Sequence, residues 1–200
     1  MKSLTLAVLA AGASRRFEGG DKLLADWEGR PLLEQTLQCF ENSAVDKKIL
    51  IVRPGAAAHA KIGSENGFEI LENHNADHGL ATSITPAVHN SKDTDGLMIA
   101  LGDMPLIQET TIHSIVSAWQ AAQASAIVAP ESEGRRGHPV IFSKAYYPFL
   151  ADLKGDRGAG DIIARHVSAF IGVAVSDAGI AIDFDEPADF MTPRHSRPEK

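Results

Sequence analysis

Three separated stretches of this 200-residue chain carry side chains suited to holding a phosphate and the cation that accompanies it. The first is residues 9–22, LAAGASRRFEGGDK. Its glycines let the backbone come close to a ligand, and free amides there suit an anion. Arg16 and Lys22 add positive charge against phosphate oxygens. The second is Asp103, in Gly102-Asp103-Met104-Pro105 directly after an apolar run. A carboxylate at a strand tip is well placed for a ligand-bound cation, and Pro105 turns the chain away from it. The third is Ile182-Asp183-Phe184-Asp185, where two carboxylates alternate with apolar residues and so face one side of an extended segment. By residue type alone, the loop is equally a Gly- and Arg-rich surface turn. Asp103 is equally a backbone cap, and Asp185 equally an N-cap before a short helix.

Two familiar phosphate loops are excluded. Gly12 is followed by Ala13-Ser14 and the next glycines are Gly19 and Gly20, so G-x-G-x-x-G is absent. Lys22 lies between Asp21 and Leu23, so the P-loop pattern fails as well. The formal net charge of −7 argues against a general nucleic-acid binder and makes the basic loop a local anion site on an acidic protein. Cys39 is the only cysteine, which excludes an intramolecular disulfide and a cysteine-based zinc site. Its place on an amphipathic helix marks it as a structural thiol. The N-terminus runs straight into a strand without a signal-peptide pattern, and no apolar stretch reaches membrane-spanning length. A cytoplasmic protein with no membrane partner is the expectation.

The elements that must position these residues alternate in kind. Leu4–Ala10 reads as a buried strand because it is short and continuously apolar. Residues 22–30 read as a short strand and a turn, and Pro31 opens a helix to about residue 42. Strands are expected at 48–52, 68–71, 95–101, 125–130 and 169–175. Helices are expected at 55–63, from Leu80 onward, at 109–122, at 144–153 with a break at Pro148, and at 161–167. His74 and His78 stand four apart, but the residues around them read as loop and do not give a shared helix face. Alternating strands and helices predict one α/β domain over residues 1–191, a three-layer α/β/α sandwich on a mostly parallel sheet. Residues 192–200 read as a disordered tail.

The first loop closely resembles L-A-A-G-x-S-x-R-[FM]-G-x-x-K, the signature of the MobA-like NTP transferases, through Leu9, Ala10, Ala11, Gly12, Ser14, Arg16, Phe17 and Lys22. Glu18 replaces the usual glycine and one extra residue precedes Lys22. Four further segments resemble the same family in the same order. The stretch from Asn75 through Gly79 to Thr82 and Ser83 is similar to the segment lying over the base and sugar. G-D-M-P at Asp103 resembles the family's metal-binding hallmark. Gly137-His138-Pro139-Val140 resembles a segment that borders the second substrate, with Arg136 an added candidate for anion recognition. The last segment, residues 182–190, is similar to the closing D-[IV]-D-T-P-E-D-[LF]. Gly155-Asp156-Arg157-Gly158-Ala159 also looks like the family's G-D-x-G-A-R, but Gly160 stands where arginine is usual.

This resemblance implies a Rossmann-like fold of the nucleotide-diphospho-sugar transferase type. It implies Arg16, Lys22 and Asp103 as catalytic residues. Nucleotide would be bound by Leu9, Ala10, Ala11, Gly12, Ser14, Arg16, Lys22, Asn75, Gly79, Thr82, Ser83 and Asp103. The second substrate would meet Arg136, Gly137, His138, Pro139 and Asp156. Mg²⁺, with Mn²⁺ as an alternative, would sit on Asp103 and Asp185 with Asp183 beside them. The L-A-A-G and G-H-P segments favour the branch that transfers CMP from CTP to the terminal phosphate of molybdopterin, the molybdenum cofactor, releasing pyrophosphate. The G-G-D-K spacing keeps open a guanylyltransferase using GTP, and other phosphorylated acceptors share the nucleotide half. A non-catalytic chaperone delivering cofactor to a recipient molybdoenzyme is the reading from a different class. A nicotinamide oxidoreductase is disfavoured by the missing dinucleotide glycines.

Overall fold

The computed structural model describes residues 1–12, 17, 20–155 and 158–191. The chain opens with β1 (Leu4–Ala10), then a 3₁₀ turn at Lys22–Leu24 and a two-residue hairpin of β2 (Asp26–Trp27) and β3 (Arg30–Pro31). Next come α1 (Leu32–Gln38), β4 (Lys47–Val52), α2 (Ala57–Glu65), β5 (Glu69–Glu72) and α3 (Ala81–His89). The central part is β6 (Gly96–Leu101), α4 (Glu109–Ala121), β7 (Ile127–Ser132), β8 (Arg135–Arg136) and β9 (Val140–Ser143). Then α5 (Tyr147–Ala151), α6 (Gly160–Arg165) and β10 (Phe170–Ala174) follow.

The main sheet has the order β10-β7-β9-β6-β1-β4-β5, with β8 paired to β7. β1 pairs in parallel with both β4 and β6, β4 with β5, and β10 with β7. β9 runs antiparallel between β6 and β7. β1 is buried along its whole length because its two sets of alternating side chains face two different cores. Leu4, Leu6, Val8 and Ala10 share a cluster with Leu33 and Leu37 of α1 and Ile112, Ile115 and Trp119 of α4. Ala7 and Leu9 join Ile84 and Val88 of α3, Leu150 of α5 and Ile162 of α6 on the other face. This is a three-layer α/β/α sandwich. Full burial of each such Leu, Ile or Val contributes about 1.5–3 kcal/mol, so the strand carrying the first loop is firmly anchored.

Several local expectations are corrected. α1 stops at Gln38 and continues to residue 42 only as turns. Residues 22–30, expected as a short strand and a turn, form a 3₁₀ turn followed by a two-residue hairpin. Pro148 does not break a helix. It occupies the first turn of α5 after a 3₁₀ turn at Lys144–Tyr146, where a missing amide costs nothing. Residues 182–185 are extended but join no sheet, because backbone contacts to loops replace strand pairing there. The tail at 192–200 lies outside the described residues.

Candidate active site

β1 and β6 are adjacent parallel strands in register, Leu9 opposite Leu101, so the chain leaving both emerges at one edge of the sheet. Open α/β sheets bind ligands at this carboxyl edge. Lys22 and Asp103 meet there. The Lys22 ammonium donates to Asp103 Oδ2 at 2.8 Å and to Asp185 Oδ1 at 2.6 Å. The lysine side chain is only 9% exposed, against 20% for Asp103 and 42% for Asp185. Burial disfavours its charge, but the two carboxylates outweigh that and hold its pKa above the ordinary lysine value. Asp103 Oδ1 is buried and has no hydrogen-bond partner among the described residues. An anionic oxygen left in that state is costly unless a cation reaches it.

Each member is held by its own device. Asp21 caps the 3₁₀ turn carrying Lys22 by accepting from the Leu23 amide at 3.1 Å. Its other oxygen lies 3.0 Å from Nε2 of the buried His59 on α2, off the line of an ideal hydrogen bond. Asp185 is delivered by a segment tied directly to Asp103, since the Phe184 amide donates to the Asp103 carbonyl at 3.0 Å. Phe184 is fully buried, with ring centroids 5.2 Å from Trp27 and 5.4 Å from Phe190; Phe190 in turn lies 5.2 Å from Phe17. The Asp189 carboxylate accepts from the Asp185 and Glu186 amides at 2.8 and 2.7 Å. Thus Asp189 caps this turn, while Asp185 turns its carboxylate to Lys22.

The segment before β9 reaches the same edge because β9 runs opposite to β6 and starts opposite Ile99. The Gly137 amide donates to Pro130 O at 3.0 Å and the His138 amide to Ile180 O at 2.9 Å. A Cβ on Gly137 would stand 2.2 Å from Ile180 O, so only glycine allows this approach. The His138–Pro139 bond is cis. Burial lowers the His138 pKa below the usual histidine value, although the Ile99 backbone and the charges of Asp103 and Asp183 favour the protonated ring. The imidazole is therefore neutral at pH 7, and its buried Nδ1 has no hydrogen-bond partner among the described residues. Arg136 is exposed, lies 5.8 Å from the Phe170 ring centroid, and brings Nη2 within 3.7 Å of where a Gly160 Cβ would be. A guanidinium thus stands beside the position from which the family arginine is missing, supplied by another strand.

The segment expected near the base is organised by Asn73, which the sequence reading passed over. Asn73 is buried and donates to Thr82 Oγ1 and Ser83 Oγ, both at 3.0 Å, while its oxygen accepts from the Asn75 amide at 2.9 Å. Gly79 has φ +104°, which permits the turn into α3. The backbone amides at the start of α3 are already engaged. The Ala81 amide donates to Gly155 O at 3.1 Å, and those of Thr82 and Ser83 to Gly79 O and Leu80 O at 3.1 and 3.0 Å. A tight turn into the helix has used them. Asn75 and Thr82 instead border a cavity of about 460 Å³.

Leu9, Ala10 and Ala11 are buried, so only their backbone is offered to a ligand, while Gly12 is exposed. Ser14, Arg16, Asp156 and Arg157 lie outside the described residues. Lys22 joins Asp103 to Asp185, while Asp183 is exposed and faces His138 electrostatically. Among the described residues no three His, Cys, Asp or Glu side chains converge on a point suited to a metal. Two carboxylates fit Mg²⁺ or Mn²⁺ when substrate phosphates and water supply the remaining oxygens, and the buried Asp103 Oδ1 is a ready donor of the right hardness.

The model of the MobA-like NTP transferase domain matches residues 6–169. The chain belongs to that family. Among relatives of this MobA-like chain, the molybdenum cofactor cytidylyltransferase of Escherichia coli is 27% identical over 200 residues, 96% of each chain. The molybdenum cofactor guanylyltransferase of Shewanella piezotolerans is 30% identical over 70% of this chain and 65% of its own. The nicotine blue oxidoreductase of Paenarthrobacter nicotinovorans is 24% identical over 78% and 79%. Among solved structures, Rv0371c of Mycobacterium tuberculosis superposes with a TM-score of 0.83 at 26% identity, covering 95% of this chain and 96% of that one. A manganese complex of Rv0371c gives 0.76 at 24% identity over 94% and 96%. No helix among the described residues is long and apolar enough to cross a membrane.

Proposed function

We propose that this MobA-like protein transfers CMP from CTP to the terminal phosphate of molybdopterin and releases pyrophosphate. The observation that carries the reading is the Lys22, Asp103 and Asp185 cluster at the carboxyl edge of β1 and β6, with one Asp103 oxygen buried and without a hydrogen-bond partner among the described residues. An acceptor phosphate oxygen attacks the α-phosphorus, forming one P–O bond, and the bond to the β-phosphate oxygen breaks. The acceptor is already anionic, so the protein needs positioning and charge neutralisation rather than a strong base. Lys22 and Arg16 stabilise the leaving pyrophosphate, and the backbone from Leu9 to Gly12 lines the triphosphate. Asp103 and Asp185 would hold Mg²⁺ or Mn²⁺, which when bound draws charge from the phosphate oxygens. Neutral His138 and cationic Arg136 stand on the acceptor side.

CTP is favoured over GTP by Leu9-Ala10-Ala11-Gly12 and by Gly137-His138-Pro139. The end-to-end match to a cytidylyltransferase supports the same choice. The test is pyrophosphate release by purified protein with Mg²⁺, molybdopterin and either CTP or GTP. Release with CTP is expected; release with GTP alone would move the protein to the guanylyl branch. The relative named as an oxidoreductase makes a third arm worthwhile, in which acceptor reduction is followed without added triphosphate.

A further inference from the structure

Lys22 does more in this structure than await a phosphate. Its ammonium lies between two carboxylates from distant parts of the chain, 2.8 Å from one and 2.6 Å from the other. The Phe184–Asp103 backbone hydrogen bond keeps those carboxylates on adjoining segments. Two carboxylates reaching for one atom repel unless a cation lies between them. We propose that Lys22 is a tethered counter-ion that stands between Asp103 and Asp185 before nucleotide binds, so that a divalent cation enters there only as a nucleoside triphosphate draws the ammonium away. This rests on the metal assignment made above for Asp103 and Asp185.

Charge pairing gives the reason. A metal ion arriving alone would neutralise the carboxylates but strip Lys22 of both its partners while the side chain is almost wholly buried. Leaving one member of a buried pair uncompensated is strongly unfavourable. A triphosphate arriving alone would offer Lys22 new oxygens but leave two carboxylates facing more negative charge. When both arrive, every charge keeps a partner. Metal and nucleotide must then strengthen each other's binding by the same factor.

The experiment measures Mn²⁺ binding to the full chain by the loss of the free-ion electron paramagnetic resonance signal, without nucleotide. Wild type should bind Mn²⁺ weakly, and Lys22→Met should bind it more tightly by roughly tenfold or more. The gain should vanish in Lys22→Met/Asp103→Asn. Thermal unfolding gives a second readout: Mn²⁺ should raise the Tm of Lys22→Met far more than that of wild type. If Lys22→Met folds poorly, Lys22→Gln serves in both measurements. Equal Mn²⁺ affinity and equal Tm response in wild type and variant, with Mn²⁺ still taken up by wild type when CTP is present, would overturn the exchange and leave the metal reading standing. Failure of wild type and variant alike to bind Mn²⁺ at this site, with or without CTP, would overturn both.

Discussion

Lys22, Asp103 and Asp185 are separated by 81 and 82 positions in sequence, yet one ammonium touches both acids. Removing a positioned charge that acts on the transferring phosphates commonly costs about 2.7–4 kcal/mol of transition-state stabilisation. Lys22→Ala and Asp103→Ala should each lower the rate of pyrophosphate release by roughly 10²–10³-fold. Circular dichroism should show that both remain folded; a near-normal rate in folded Asp103→Ala would contradict the role given to Asp103. His138 makes a separate prediction at this scale. Its folded pKa lies below the ordinary value, chiefly through burial. The unfolded chain takes up a proton near pH 6.5 that the folded chain refuses. The stability contributed by neutral His138 is therefore present above about pH 6.5 and is lost as pH falls through the depressed folded value. His138→Gln should flatten that acid limb of Tm against pH; an unchanged limb would show that His138 is not its source. The identities of Lys22, Asp103 and His138 were legible because each sits at the end of an apolar run or inside a family motif. Asn73 and His59 were not, since their importance comes from partners that the linear sequence does not place beside them.

The elements show where pattern suffices and where it does not. Continuous apolar runs identified β1, β4 and β6, because strands buried on both faces need no polar alternation. The direction of β9 could not be read, since an apolar strand has the same composition whichever way it runs. The same holds for residues 182–185, whose alternation suggested a strand while their hydrogen bonds lead to loops. Two substitutions test how elements carry the site. Gly137→Ala would press a methyl group against Ile180 O and displace the segment that leads to Asp183 and Asp185. Overpacking of this kind costs about 1–3 kcal/mol, so Tm should fall by several degrees and transfer should slow. Unchanged Tm and rate would mean that the two loops separate freely. Asn73→Ala would release Thr82, Ser83 and the Asn75 amide together. Leaving such buried groups unsatisfied costs about 1–3 kcal/mol. The expected signature is a raised KM for nucleotide with a smaller change in kcat, read from steady-state pyrophosphate release.

On the scale of the whole molecule, one sheet brings the sequence motifs to a common edge. β1 and β6 run side by side, and β9 returns between β6 and β7. This arrangement brings a loop near residue 20, a strand tip near 103, a turn near 138 and an extended segment near 185 to one edge, as the proposed reaction requires. The layered architecture was legible from the alternation of apolar strands and amphipathic helices. The base chosen was not, because the contacts proposed for it lie on loops such as residues 73–83, whose side chains bind one another as well as facing a cavity. The relatives of this chain include proteins named for cytidylyl transfer, guanylyl transfer and oxidation–reduction, so the product decides the account. The most direct measurement is the mass of what wild-type protein makes from CTP, Mg²⁺ and molybdopterin. The account predicts a dinucleotide equal to molybdopterin joined to CMP, with one pyrophosphate released for each. Unconsumed CTP beside unchanged molybdopterin, from folded protein, would contradict it.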